Sequence, residues 1–238
     1  MTRHSAMYIL LLFPFSSAVA EQAVTNKWSS DAEFGVVLTQ GNTQTQNINV
    51  KLNVLNERLK WRHEARLEAL NNADDEQTTA ERYTLFAKTG YKFGAKNYAF
   101  GTVNYENDRF SGYQYRVSEA VGFGRRLIQS EALTLAVEFG PGARQSKLET
   151  GDSENEGILH LAGNLKWTIN PKSQFLEELT IEAGKKATIS KSITGVKTNI
   201  AGDLAMKLSL TVNHISEVPP ETKKTDSELT VTLVYSIL

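Results

Sequence analysis

The chain contains no cysteine, which excludes disulfides, thiolate metal sites and a lipobox anchor. It carries almost no net charge: 26 Lys and Arg stand against 27 Asp and Glu. No run of five or more basic residues creates a local field either, so no nucleic-acid partner is expected. A third absence concerns long apolar runs. The longest, Tyr8 to Phe15, falls well short of the roughly 20 residues that a membrane-spanning helix needs.

What is present begins with a secretory signal over residues 1–20. Arg3 supplies a positive start, Tyr8 to Phe15 an apolar centre, and Ala18-Val19-Ala20 an A-x-A cleavage site. The mature chain is expected to begin near Glu21, with residues 21–27 forming a short periplasmic segment. An exported chain that enters a bilayer without a spanning helix has one remaining way to satisfy its backbone in lipid, a closed β-barrel.

Residues 28–238 carry the pattern of such a barrel. About twelve stretches of roughly 9 to 13 residues alternate apolar and polar side chains, the period of a strand with two different faces. Trp61, Ala65, Leu67 and Ala69 share one face of a stretch whose other face is Arg62, Glu64, Arg66 and Glu68. An arginine facing lipid at mid-depth costs roughly 2 to 4 kcal/mol, so this charge ladder must line a wet or internally paired lumen. Leu133, Leu135, Val137 and Phe139 oppose Thr134, Glu138 and Gly140, and Leu229, Val231, Leu233, Tyr235 and Ile237 oppose Glu228, Thr230, Thr232 and Ser236. Three places break the pattern. Glu119 lies in phase with Val117 and Val121, the apolar parity shifts around Gly101, and Ile193 to Leu204 is weakly patterned. A β-bulge at each of the first two sites is expected to restore phase.

The connections alternate as well. Tight turns fall near Leu59-Lys60, Gly94 to Asn97, Ile128 to Ala132, Asn170 to Ser173 and Leu204 to Met206. Longer loops are expected at Gly41 to Gln46, Asn71 to Ala80, Asn107 to Gln114, Gln145 to Glu156, Gly184 to Lys191 and Val218 to Asp226. Short turns mark the periplasmic side, so an even strand count puts both termini in the periplasm. Aromatic residues are expected at the two interfaces: Trp28, Trp61, Trp167, Phe93, Tyr98, Phe175 and Tyr235 on the periplasmic rim, Tyr83, Tyr105, Phe110, Tyr113, Tyr115 and Phe139 on the outer one. The expected architecture is an all-β, transmembrane antiparallel barrel of about twelve strands.

Several local runs resemble a known family. Gly41-Asn42-Thr43, Lys60-Trp61-Arg62-His63, Asp108-Arg109-Phe110-Ser111-Gly112-Tyr113 continuing to Tyr115-Arg116, Gly122 to Arg126, and Gly140-Pro141-Gly142 are similar to the DUF481 family of salt-induced outer-membrane proteins. The resemblance covers nearly all of the mature chain. It implies a Gram-negative outer-membrane barrel associated in some members with salt or acid stress, and it implies no catalytic residues. Barrels of this kind commonly end in an aromatic assembly signal; here the chain ends Tyr235-Ser236-Ile237-Leu238, and Tyr235 takes that place for the barrel assembly machinery.

Candidate chemistry is sparse. His63 and His214 share the lipid-facing parity, while His160 points inward one strand from Glu138, the one place where a lipid-modifying enzyme would find a base. Asp152, Glu154 and Glu156 in one outer loop, and Asp74, Asp75 and Glu76 in another, have the chemistry of hard-cation ligands, but a solvated acidic loop is the expectation, and neither a metal nor a cofactor is assigned. Lys185, Lys186, Lys191, Lys223 and Lys224 have the chemistry to contact lipopolysaccharide phosphates. The main functional candidate is the lumen, lined by Lys51, Arg62, Glu64, Arg66, Glu68, Lys88, Arg116, Glu138, His160, Lys166, Glu178 and Glu182. If these charges pair, they form a plug and the protein is a structural, envelope-stabilising barrel. If some stay solvated, they form a narrow passive pore for ions or small solutes linked to osmotic stress. The small inward residues Ala120, Gly122, Gly124, Gly140 and Gly142 leave space on one side and favour the pore.

Overall fold

The computed structural model describes residues 26–39, 45–74, 77–109, 111–218 and 223–238. The signal segment, residues 21–25, Phe110, Asp75 and Glu76 lie outside the described residues. Twelve strands follow in order: β1 (Lys27–Thr39), β2 (Thr45–Glu57), β3 (Trp61–Asp74), β4 (Gln77–Lys92), β5 (Asn97–Asp108) and β6 (Tyr113–Gln129). The second half comprises β7 (Leu133–Leu148), β8 (Ser153–Asn170), β9 (Ser173–Gly184), β10 (Thr188–Ala201), β11 (Leu204–Ile215) and β12 (Thr225–Ser236). Each strand is antiparallel to the next, and β12 closes onto β1, so the sheet has no free edge. No helix among the described residues is long and apolar enough to cross a membrane.

The two faces are inverted relative to a soluble protein. Val121 and Leu229 stand 63% and 69% exposed on the outside, whereas Glu138 and Arg144 are 4% and 2% exposed inside. Water would not select that arrangement; lipid around the wall and polar groups within it would. β1 starts and β12 ends at the end that carries the turns after β2, β4, β6, β8 and β10, here the proximal end.

The distal connections are shorter than the sequence suggests. β3 runs on to Asp74 and β4 starts at Gln77; β7 runs to Leu148 and β8 starts at Ser153; β9 and β10 are separated by residues 185–187. Most of the expected loops from Asn71 to Ala80, Gln145 to Glu156 and Gly184 to Lys191, and half of that from Asn107 to Gln114, are therefore strand. The reason is physical. A span of about 9–11 residues crosses the bilayer, and β8 has 18. Beyond lipid both faces are wet, so alternation fades while backbone pairing such as Gln145↔Asn155 continues. Only Ile215 to Thr225 remains a long connection between described strand ends. Left-handed glycines, Gly112 at φ 78° and Gly151 at φ 95°, turn two of the distal hairpins.

Neither expected bulge occurs where it was placed. Pairing is continuous through Gly101↔Val121 and through Val103↔Glu119↔Ala143; the register shifts fall instead at Glu106/Asp108, Tyr113/Tyr115 and Arg126/Ile128. Glu119 consequently stays on the outer face. The parity around Gly101 breaks because Tyr98 and Phe100 point inward, Phe100 being buried beside His160 with ring centroids 5.7 Å apart. Tyr98 thus leaves the expected aromatic rim, and so does Tyr113, buried under the Arg116 guanidinium. Phe139, expected at the outer rim, joins Phe123 and through it Phe93 in a run of exterior rings. The weak pattern of β10 also has an explanation: Ile189, Lys191 and Ile193 face the lumen, while outward Ser192 and Thr194 donate to Glu177 at 2.8 and 2.6 Å.

Closure is uneven. β1 and β2 pair from Lys27↔Glu57 to Thr39↔Thr45, whereas among the described residues the β1–β12 ladder covers just Asp31–Phe34 against Leu233–Ser236, extended by a bond from Ile237 N to the Ser30 carbonyl. Gly35 permits the close approach there, since a Cβ would lie 2.8 Å from the Val231 carbonyl oxygen.

A candidate functional site in the lumen

The lumen is built by the inward parity of every strand, and its charges find one another across the barrel. Lys51 on β2 bridges Glu68 on β3 at 2.9 Å, and Arg82 on β4 reaches Glu68 at 3.9 Å and Glu228 on β12 at 2.8 Å. Arg116 pairs with Glu106, and Lys88 with Glu138, which also accepts the Tyr98 hydroxyl at 2.6 Å. Glu182 accepts Ser118 Oγ at 2.8 Å and faces Arg144, which in turn holds Glu156 at 2.6 Å. On the β1 side, Lys207 binds Glu33 at 3.0 Å and Lys197 reaches Asp31 at 3.5 Å.

One pair has a special place. Arg66 on β3 donates from Nη1 to Glu178 on β9 at 3.0 Å, and from Nη2 to Glu64 at 3.0 Å. β3 and β9 lie six strands apart in a ring of twelve, on opposite walls. The guanidinium therefore forms a crossbar through the middle of the barrel. On its distal side lies a chamber of about 150 Å³ lined by Glu68, Glu106, Arg116, Glu182 and Lys191 among others. On its proximal side lies a chamber of about 550 Å³ lined by Arg62, Lys88, Lys92, Tyr98, Arg126 and Lys166 among others. Glu64 and Glu178 line both.

All twelve sequence-selected lumen residues occupy inward positions, but they do not share one environment. Lys51, Glu68, Arg116, Glu138 and Glu182 are locked in ion pairs or hydrogen bonds. Lys88 is held by Glu138, Arg66 joins Glu64 and Glu178, and Arg62 stands 3.6 Å from Glu57 while remaining half-exposed. Lys166 has no carboxylate within ion-pair distance among the described residues, and His160 rests against Phe100 with no serine hydrogen bond among them.

The glycines expected to open one side do not. A Cβ on Gly124 would fall 2.2 Å from the Tyr98 ring, so that ring fills the space. Gly122 and Gly140 instead let β6 and β7 approach, since a Cβ on Gly140 would lie 2.0 Å from the Val121 carbonyl oxygen. Tyr98, Glu106, Arg126, Arg144 and Lys191 were missed as lumen residues. Counting parity unbroken from Glu138 to Arg144, and from Arg116 to Arg126, would have found two of them. Lys191 is not an outer-loop cation but a lumen residue near Glu68, Glu106 and Glu178. Of the distal loop charges, Lys186 bridges Glu154 at 3.1 Å, and no group of three His, Asp or Glu among the described residues is arranged around a metal.

Known proteins share this architecture. The NanC porin superimposes with a TM-score of 0.53 at 11% identity, covering 88% of this chain and 100% of its own. An outer-membrane channel of the COG4313 group from Pseudomonas putida F1 gives 0.49 at 12% identity, over 95% of this chain and 100% of that one. At 11% identity the likeness to the NanC porin shows the fold alone, a closed porin-type barrel. No curated protein matches the sequence. The sequence pattern described as "Protein of unknown function, DUF481" matches residues 32–237, from within β1 to just beyond β12. The chain belongs to the DUF481 family.

Proposed function

We propose that the protein is a narrow, gated passive pore for ions and small solutes in the outer membrane of a Gram-negative bacterium. In this reading the signal over residues 1–20 directs export through the Sec pathway, the termini and proximal turns face the periplasm, and the barrel assembly machinery inserts the chain among lipids and lipopolysaccharide. The observation that carries the pore reading is the pair of chambers stacked on one axis and separated by the Arg66 crossbar. Thr84 and Arg116 line the distal chamber, and each has a buried polar atom, Oγ1 and Nη1, with no hydrogen-bond partner in the protein. Arg66 is 27% and Glu178 40% exposed, so the crossbar sits in solvated surroundings and a rotamer change suffices to release it. A pore closed at rest by an ion pair suits a role under salt or osmotic stress, because added salt screens such pairs.

A second reading, a non-conducting barrel that stiffens the envelope, draws on the distal half of the lumen, where Arg144 is almost wholly buried between Glu156 and Glu182. Single-channel recording of the refolded mature chain in a planar bilayer separates the two. Discrete steps, more frequent as salt rises, support the gated pore; a well-inserted barrel that stays silent across salt concentrations sinks it and leaves the structural reading.

A further inference from the structure

The two chambers differ in charge as much as in size. In the distal one Arg66, Arg116 and Lys191 are outnumbered by carboxylates, among them Glu68, Glu106 and Glu182. The proximal chamber is lined by five cations, Arg62, Lys88, Lys92, Arg126 and Lys166. Its carboxylates are already taken. Glu57 holds Lys92 and stands 3.6 Å from Arg62, Glu64 and Glu178 hold Arg66, and Lys88 is bound by Glu138. Arg126 and Lys166 have no ion-pair partner among the described residues. Glu177 also borders the space, but it lies on the outward parity and accepts the Ser192 and Thr194 hydroxyls.

Two further features make this a site rather than a patch. Arg126 lies over the Tyr98 ring, 5.9 Å from its centroid, and Tyr98 is itself tied to Glu138, so the guanidinium stands on a fixed support. The chamber's volume, about 550 Å³, falls within the roughly 300–1,000 Å³ of small-molecule sites, whereas the distal 150 Å³ does not.

We infer that the proximal chamber binds a small, multiply charged oxyanion, a carboxylate or phosphate compound, which enters from the end where β1 starts and β12 ends and is held by Arg126, Lys166 and Arg62. Guanidinium groups pair with such oxyanions in bidentate geometry, and a lysine from a third strand adds a point charge. The crossbar closes the far side of the site, so the ligand waits beneath the gate. The inference rests on the pore reading only in taking the lumen as open to solvent at its proximal mouth; binding does not require conduction.

The test is equilibrium titration of citrate and of inorganic phosphate into the refolded mature chain in detergent, paired with single-channel recording of the same preparation. Saturable binding is expected, weakened at least tenfold in Arg126→Ala and in Lys166→Ala and unchanged in Lys186→Ala, with folding checked by heat-modifiable mobility. Citrate binding alone assigns the carboxylate class; competition by phosphate at similar concentration assigns the broader one. Absence of binding by folded protein, or equal binding in the two lumen variants, overturns the site. Binding without conductance refutes the pore and leaves the site standing, whereas conductance without binding does the reverse.

Discussion

Removing the crossbar is the perturbation with the sharpest consequence. Arg66→Ala deletes the group that spans from β3 to β9, with its bonds to Glu178 at 3.0 and 3.3 Å and to Glu64 at 3.0 Å. A hydrogen bond involving an ionised group contributes about 1.5–3 kcal/mol where water is excluded. Because Glu178 is 40% exposed, we assign the whole crossbar the value of one such bond rather than three. Losing that bias raises the ratio of open to closed lumens by roughly 10- to 150-fold. In planar bilayers the variant should show long open dwell times at low salt, where the wild type shows brief ones. Glu178→Gln should move in the same direction by less, and the exchange Arg66→Glu with Glu178→Arg should restore closure. The charge should matter more than the volume, so Arg66→Met should resemble Arg66→Ala. If wild type and Arg66→Ala share the same dwell times in equally inserted protein, the crossbar is not a gate.

Four further substitutions test the packing of the barrel. Gly140→Ala places a methyl against the backbone of Val121 and Gly122, atoms that cannot step aside, so we expect a loss of about 1–3 kcal/mol, read as a lower urea midpoint in lipid micelles. Arg144→Ala strands the carboxylates of Glu156 and Glu182 in a site where the arginine is 2% exposed and should cost roughly 3–5 kcal/mol. Arg109→Ala, which removes a 66% exposed partner of Glu81, should change stability by less than about 1 kcal/mol; equal losses in the two arginine variants would contradict the burial argument. Glu119 stands on the outer face between Val103 and Ala143, and Glu119→Leu should raise unfolding stability in lipid by roughly 1–2 kcal/mol. A stability left unchanged would place that residue beyond the hydrocarbon region.

The wall was legible in the sequence because lipid imposes alternation on it: the ladder from Arg62 to Glu68 has no other economical explanation. Legibility ended where lipid does. Near Asn71, Gln145 and Asn155 both faces are wet, so strands looked like loops even though their backbones remain paired. Aromatic residues misled for a different reason. Tyr98 and Phe100 belong as readily to a membrane rim as to a lumen, and only the partners Glu138 and His160, contributed by β7 and β8, decide between the two. The inward charges were readable one by one, but not their pairing. That Arg66 meets Glu178 depends on strand count and closure, which place β3 opposite β9, and no local pattern carries that information. The same holds for Gly124, whose apparent gap is filled by a side chain from the neighbouring strand β5.

The short junction between β1 and β12 has a consequence for how the molecule comes into being. Every other ladder joins strands that are neighbours in the chain, so each hairpin can zip soon after its turn forms. The junction of Asp31–Phe34 with Leu233–Ser236 joins opposite ends of the chain and offers the fewest backbone bonds to offset that loop. It is therefore the last to form and the first to part. Until it shuts, the chain is a curled sheet with two bare edges, one starting at Lys27 and the other ending at Ser236. That unsealed form, rather than the finished cylinder, exposes unpaired backbone edges to other chains.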